Sequence, residues 1–179
     1  MAPRHFTLKT SANLKVESTS KHTLHFSCNG TVARNGVANA LLPPEPVRGA
    51  ATTFYIDLRR LNATRTVSFH VFKDVTLHWT DHGEVKVAMW TTLIGGEQIE
   101  LGPSQILPGR GKHIITYTRN AKAFTLFEDG KLVAIMRKRR SRIFPTFGVT
   151  ALEIGSKIDL WLTDIKIHSG LRDETIWAT

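Results

Sequence analysis

Hydrophobic and polar residues alternate along most of the chain, a pattern typical of β-strands that bury one face. The segments HTLHFSC, FYIDL, VSFHV, VTLHW and EVKVAM each place apolar residues at every second position. Those positions are Leu24, Phe26, Cys28, Phe54, Ile56, Leu58, Val67, Phe69, Val71, Val75, Leu77, Trp79, Val85, Val87 and Met89. Glycine-containing turns such as Gly95-Gly96 and Asp129-Gly130 separate the segments. The pattern predicts an all-β fold, a two-sheet antiparallel β-sandwich of jelly-roll type.

Two segments depart from this alternation. The stretch ALLPPEPVRGAATT, residues 40–53, contains three prolines and predicts a loop across one end of the sandwich. A short terminal helix is predicted near residues 172–177. Eight residues are predicted to belong to the core: Phe54, Ile56, Val67, Phe69, Leu77, Leu126, Val133 and Trp161.

A length of 179 residues predicts one domain over residues 1–179. No apolar run approaches the roughly 20 residues that span a bilayer. The first residues lack the apolar segment of a secretory signal, and Cys28 is the only cysteine. We therefore expect an intracellular protein, cytoplasmic or nuclear, with unconventional export left open.

The formal net charge of +9 indicates an anionic partner or a role in solubility. Much of the charge lies after a predicted hairpin in LFEDGKLVAIMRKRRSR, residues 126–142. The hairpin should pair Phe127 with Leu132, Leu126 with Val133 and Phe124 with Ile135. The basic run comprises Arg137, Lys138, Arg139, Arg140 and Arg142. Protection of a sheet edge and binding of an anion are both open, the latter including a nuclear-localisation-like signal or contact with a phosphate backbone.

Two stretches resemble the concanavalin A-like lectin/glucanase superfamily. KHIITYTRNAKAFTLFEDGKLVAI resembles a hairpin of laminin-G-like and pentraxin-like domains, and KIDLWLTDIKIHSGLRDETI resembles their closing strand. FYIDLRRLNATRTVSFHVF, VTLHWTDHG and FPTFGVTALEIGSKIDLWLTDIKI resemble successive strands of galectins. Together these resemblances cover about residues 54–176, and they imply a lectin-type β-sandwich.

The galectin resemblance implies a ligand face on consecutive strands. His70 matches the galectin histidine, whereas Phe72 and Asp74 replace an asparagine and an arginine, and His78 replaces a second asparagine. Trp90 is the nearest candidate for a ring that stacks on a sugar. Outward positions of the same sheet predict a glycan site of His70, Phe72, His78, Lys86 and Trp90. The alternative, that Phe72 and Trp90 simply cover the second sheet or a loop, stays open.

The sequence predicts no catalytic residues, so we expect a protein that is not an enzyme. Glucanases of the superfamily need two neighbouring carboxyl groups, whereas Glu97 and Glu100 are predicted on opposite strand faces. The spacing of His78, Asp81 and His82 is compatible with metal ligands, but a solvated hairpin tip is favoured. No metal or other cofactor is expected.

The resulting hypothesis is a lectin-like module that binds a glycan or glycoconjugate on a sheet face. The alternative is an intracellular protein- or nucleic-acid-interaction module with a lost sugar site, whose basic run contacts a polyanion. The sequence determines neither the ligand nor the oligomeric state.

Overall fold

Fourteen antiparallel strands form two seven-stranded sheets within the residues that are described by the computed structural model. It describes residues 6–11, 14–20, 22–28, 36–41, 50–62, 66–72, 75–82, 85–119, 123–137, 146–151 and 157–169. No helix in these ranges is long and apolar enough to cross a membrane. The predicted all-β sandwich is confirmed, while the terminal helix predicted near residues 172–177 lies outside the described residues.

Sheet A contains, in spatial order, β1 (Thr7–Thr10), β4 (Gly36–Leu41), β13 (Thr146–Ala151), β6 (Thr66–Phe72), β7 (Val75–His82), β8 (Val85–Ile94) and β9 (Glu97–Pro103). Sheet B contains β12 (Lys131–Arg137), β11 (Ala123–Glu128), β10 (Lys112–Arg119), β5 (Ala50–Asn62), β14 (Lys157–Ser169), β3 (Thr23–Cys28) and β2 (Leu14–Ser20). The loop predicted over residues 40–53 was too long at both ends, because Ala40 and Leu41 belong to β4 and β5 begins at Ala50 and pairs on both sides. Residues 42–49 lie outside the described residues.

The core lies between the inner faces of the two sheets. Four phenylalanine rings meet at its centre, with Phe69 and Phe147 from sheet A and Phe26 and Phe54 from sheet B. The ring centroids of Phe54 and Phe147 are 5.2 Å apart in an edge-to-face arrangement, which is a favourable geometry for aromatic pairs. The four rings mark the inward side of the strands that carry them, β3, β5, β6 and β13.

Six of the eight predicted core residues are buried, which confirms the prediction for them, and the other two are not fully buried. The buried ones are Phe54, Ile56, Val67, Phe69, Leu77 and Leu126. Val133 is only partly buried against the core. The prediction was wrong for Trp161, because β14 places it on the outer face of sheet B, between the inward residues Leu160 and Leu162.

The predicted hairpin from β11 to β12 has a bulge. Asp129 and Gly130 form its two-residue turn with φ angles of 52° and 77°, as a type I′ turn requires. The predicted pairing of Phe127 with Leu132 is confirmed. The other two predicted pairs were wrong, because one extra residue on β12 shifts the register: Leu126 pairs with Ala134 and Phe124 with Met136.

Candidate functional site

Uncharged polar side chains cross the outer face of sheet A from β13 to β9. Seven residues make up this polar face: Ser68, His70, Thr76, His78, Thr91, Gln98 and Thr150. The pairs Ser68–His78 and His70–Thr76 lie directly opposite each other on β6 and β7. Their strand neighbours Phe69 and Leu77 are fully buried, so the polar side chains point away from the core.

His70 lies at the centre of one hydrogen-bonded group. Its Nδ1 is 2.9 Å from Thr76 Oγ1, and its Nε2 is 3.1 Å from Thr150 Oγ1. The imidazole therefore joins β13, β6 and β7. Both of its ring nitrogens have a hydroxyl partner.

His78 lies at the centre of a second group of the same kind. Its Nδ1 is 2.7 Å from Ser68 Oγ, and its Nε2 is 2.8 Å from Thr91 Oγ1. Gln98 on β9 extends the group, since its amide nitrogen lies near His78 Nε2 and 3.1 Å from Thr91 Oγ1. The two groups together span five neighbouring strands.

Burial holds both imidazoles in the neutral form near pH 7. It lowers the pKa of His70 below the ordinary 6.5. It also lowers the pKa of His78, and the neighbouring His70 lowers that pKa further by charge repulsion. A neutral imidazole has one N–H donor and one acceptor nitrogen. Each histidine therefore donates a hydrogen bond to one of its hydroxyl partners and accepts one from the other.

Asn39 on β4 lies very close to the β13 backbone at Gly148, which is the residue beside His70. A Cβ at this position would clash with Asn39 Oδ1 on β4. Glycine therefore leaves room for the Asn39 amide to lie over β13. The same outward row continues from Asn39 through Gly148 to His70 and Thr76.

The structure brings together only part of the predicted glycan site. His70 and His78 share the polar face, as expected. The prediction was wrong for Trp90, which is 0% exposed on the inner face opposite Leu77. Lys86 lies four residues before Trp90, and therefore on the same side of β8. Its assignment to the polar face was thus also wrong, although it is exposed near the start of the strand. The side chain of Phe72 lies outside the described residues.

Trp90 instead takes part in a buried contact between the sheets. Its Nε1 donates to Glu128 Oε1 at 3.1 Å. Ser104 Oγ donates to the same oxygen, and the Gln105 backbone N–H donates to Oε2 at 2.9 Å. Glu128, on β11, is 6% exposed, so these donors compensate for the burial of its carboxyl group. The indole of Trp90 is thus unavailable to stack on a sugar.

A different aromatic group lies on the outer face of sheet B. The imidazole of His25 stacks on Trp161 with ring centroids 3.8 Å apart, and the Arg59 guanidinium lies 5.0 Å from the Trp161 ring. His25 Nε2 lies 2.6 Å from Asp159 Oδ1, and Arg59 Nε lies 3.1 Å from an oxygen of Asp57. This group was not predicted from the sequence, because its members come from three strands that are distant in sequence.

The basic run begins at the end of sheet B. Arg137 is the last residue of β12 and pairs with Ala123, as expected for a run that starts where the partner strand ends. Lys138, Arg139, Arg140 and Arg142 lie outside the described residues, and anion binding by the run stays a prediction.

The described residues contain no group of three side chains suited to a metal ion. Asp81 and His82 belong to β7, not to the predicted hairpin tip, and their side chains lie outside the described part of the structure. Glu97 and Glu100 do fall on opposite sides of β9, as their partners Ile94 and Thr91 show.

Comparison with known proteins identifies the fold but no close relative. No family model and no curated protein matches the sequence. The carbohydrate recognition domain of Emp47p superimposes with a TM-score of 0.57 and 10% identity, covering 92% of this chain and 89% of that one. The carbohydrate-binding module CBM66 from Bacillus subtilis gives 0.53 and 8%, covering 92% and 97%.

A sialidase also superimposes on the chain, with a TM-score of 0.63 and 9% identity over 96% of this chain. The chain spans only 17% of the length of that sialidase. These similarities, together with the two seven-stranded antiparallel sheets, show that the chain has the concanavalin A-like lectin fold.

Proposed function

We propose that the chain is a non-enzymatic, lectin-like module whose polar face binds the hydroxyl groups of a neutral glycan. The observation that carries this proposal is the pair of hydroxyl–imidazole–hydroxyl groups centred on His70 and His78. The solved structures of carbohydrate-recognising domains with the same fold support it.

The hydrogen-bond chemistry of these groups suits a sugar. Within each group, the hydroxyl that accepts the imidazole N–H keeps its own proton for an outside acceptor. The hydroxyl that donates to the other nitrogen keeps lone pairs for an outside donor. A sugar hydroxyl is both a donor and an acceptor, so it can engage either kind.

The environment favours an uncharged ligand. Ser68, Thr76 and Thr91 are 9%, 8% and 6% exposed, so their hydroxyls lie between larger side chains where hydrogen bonds are less weakened by water. Both imidazoles are neutral near pH 7 because burial lowers their pKa. A neutral glycan would therefore bind here without neutralising a charge.

We do not expect this face to hydrolyse glycosidic bonds with a pair of carboxyl groups. Retaining and inverting glycosidases place two carboxyl groups on either side of the scissile bond. Glu100 lies opposite Thr91 on this side of the sheet, whereas Glu97 falls on the other side of β9, so the two do not form a neighbouring pair of carboxyl groups. We therefore propose binding without bond cleavage.

The adjacent residues Thr91 and Thr92 provide a matched test. Thr91 Oγ1 bonds His78 on the polar face, whereas Thr92 is 1% exposed on the inner face and its hydroxyl has no partner among the described residues. Valine has nearly the same shape as threonine but lacks the hydroxyl. We expect Thr91→Val to weaken binding about 5- to 10-fold, the equivalent of one hydrogen bond. Thr92→Val should bind like the wild type.

The measurement is a neutral-glycan array followed by titration of the best ligand at about 0.5 M salt, where exposed ionic contacts are screened. Circular dichroism of both variants controls for folding. If no neutral glycan binds, or if the two valine variants bind equally, the polar face is a structural network and not a sugar site.

A further inference from the structure

Glu100 projects from the same side of sheet A as the polar face. It lies directly opposite Thr91, whose hydroxyl bonds His78. The strand register places it at the end of one row across the seven described strands of the sheet: Lys9, Asn39, Gly148, His70, Thr76, Thr91 and Glu100. Since β9 is the outermost of these strands, the row ends in a carboxylate at the sheet edge.

The carboxylate of Glu100 is exposed and has no hydrogen-bond or ion-pair partner among the described residues. Its neighbours on this side of β8 and β9 are all uncharged: Thr91, Met89, Leu93 and Gln98. Lys9, at the other end of the row, is six strand spacings away, about 29 Å. The two oxygens of Glu100 are therefore available to a ligand.

Gln98, two residues before Glu100, presents a further acceptor. Its amide nitrogen lies 3.1 Å from Thr91 Oγ1 and also contacts His78 Nε2. An amide nitrogen only donates, so both of its N–H groups are used within the polar face, and His78 accepts at Nε2. The Oε1 atom of Gln98 has no partner among the described residues and is free to accept from a ligand.

The unpaired oxygens at the β9 end of the polar face thus accept hydrogen bonds, and a ligand there must supply the donors. Two hydroxyls on adjacent carbons of a sugar ring can donate to the two oxygens of one carboxylate, and such charge-assisted bonds are about twice as strong as neutral ones. A hydroxyl that carries a methyl, acyl or sulfate group has no proton to donate. An acidic group on the sugar would be repelled by Glu100.

We propose that Glu100 contacts the glycan and restricts it to uncharged sugars with two adjacent unsubstituted hydroxyl groups. This inference rests on the proposed function of the polar face and specifies its ligand class. An amine-bearing sugar fits less well, because a single exposed ion pair contributes little in water and the remaining groups of the polar face are uncharged.

Glu97 provides the matched control for Glu100. It is also exposed on β9, but it opposes Ile94 on the other side of the strand. The variants Glu100→Gln and Glu97→Gln each remove one negative charge with little change of shape, and circular dichroism checks that both fold.

The probes are array glycans that end in glucose, galactose or mannose. Each is present unmodified, oxidised to the uronic acid, and methylated at one ring hydroxyl, and a glucosamine form is included. Titration of the full chain at low salt follows for the sugars that bind.

We expect the wild type to bind an unmodified sugar and to lose about tenfold in affinity when one hydroxyl of the adjacent pair is methylated. Glu100→Gln should bind the unmodified sugar about tenfold more weakly, and methylation should then have a much smaller effect. Its preference for the neutral sugar over the uronic acid should fall about fivefold, the effect of one charge at about 4 Å in water. Glu97→Gln should behave like the wild type.

Three outcomes would overturn the inference. If a neutral sugar binds and the two glutamine variants bind it equally well, Glu100 does not contact the ligand, and the proposed function still stands. If no neutral sugar binds, the proposed function fails and this inference fails with it. If glucosamine binds more tightly than glucose and Glu100→Gln removes that preference, the residue recognises a cation and not a pair of hydroxyls.

Discussion

The outer faces of sheets A and B are both formed by alternating strands, but they satisfy their polar groups in different ways. On sheet A, neutral hydroxyl and imidazole groups bond to one another across five strands. On sheet B, the carboxylates of Asp159 and Asp57 pair with His25 and Arg59 around Trp161, and Leu132 and Ile135 are exposed. Alternation therefore selects the outward residues, while their cross-strand partners determine what each face can bind.

The largest expected effect concerns the packing that keeps these faces on opposite sides. Trp90→Ala should lower the free energy of unfolding by about 3–5 kcal/mol, because it empties a buried site and removes a donor from Glu128. Trp161→Ala should cost only about 1–2 kcal/mol, since that ring is half-buried and packs mainly on His25 and Arg59. Urea unfolding measures both.

The two tryptophans thus act as controls for each other. Equal losses of stability for the two alanine variants would contradict the assignment of Trp90 to the interior and Trp161 to the outer face. Circular dichroism without denaturant would show whether the Trp90 variant still folds.

A smaller effect should follow from pH, and it should arise on sheet A. The pKa values of His70 and His78 are lowered by folding, so the unfolded chain binds more protons below pH 6.5. Stability contributed by the neutral imidazoles is therefore present above that pH and declines as the pH falls toward the lowered values. Each kcal/mol of stability removed should reduce the melting temperature by about 2–4 °C.

The variant His70→Gln/His78→Gln isolates this contribution. Its melting temperature should fall less steeply on acidification than that of the wild type. Identical pH profiles would mean that the two imidazoles titrate alike in the folded and unfolded chain, which would contradict their neutral roles in the polar face.

The smallest effect on stability is expected from the basic run. Replacing Arg139, Arg140 and Arg142 by serine should leave unfolding nearly unchanged, because exposed charges contribute at most about 1 kcal/mol each. Heparin binding should weaken, and its logarithmic salt slope should fall by about 0.7–0.9 for each arginine–anion ion pair removed, a range taken from nucleic acids. An unchanged slope would indicate that the run only protects the edge of sheet B.

Much of the fold was predictable because period-two alternation directly reflects burial in strands. Besides Trp161 on β14, the prediction failed in β8, where EVKVAMW carries apolar residues on both sides of the strand. Val87 is 42% exposed and Trp90 is buried, so the prediction that Val87 belongs to the buried side of this strand was wrong. The larger ring takes the inner face, where Glu128, 38 residues away, accepts its N–H.

The candidate site was predictable only as far as its histidines. Ser68, Thr76 and Thr91 occupy ordinary outward positions, and nothing local identifies them as partners of an imidazole. Thr150 is 80 residues from His70 and becomes its neighbour only because β13 pairs with β6. Such a network depends on strand order, which a single sequence does not reveal.

The bulge in β12 also affects how the chain tolerates changes in length. In most strands, the loss of one residue reverses the facing of every residue after it. In β12 the bulge holds one extra residue, Val133, that has no partner of its own in the register. A chain lacking Val133 would therefore still pair Ala134 with Leu126 and Ile135 with Thr125. Such a deletion would remove the packing of Val133 beside Gly102 of β9, yet Leu132 and Ile135 would keep their facing. This edge strand therefore offers a position where a deletion can occur while the outer surface is preserved.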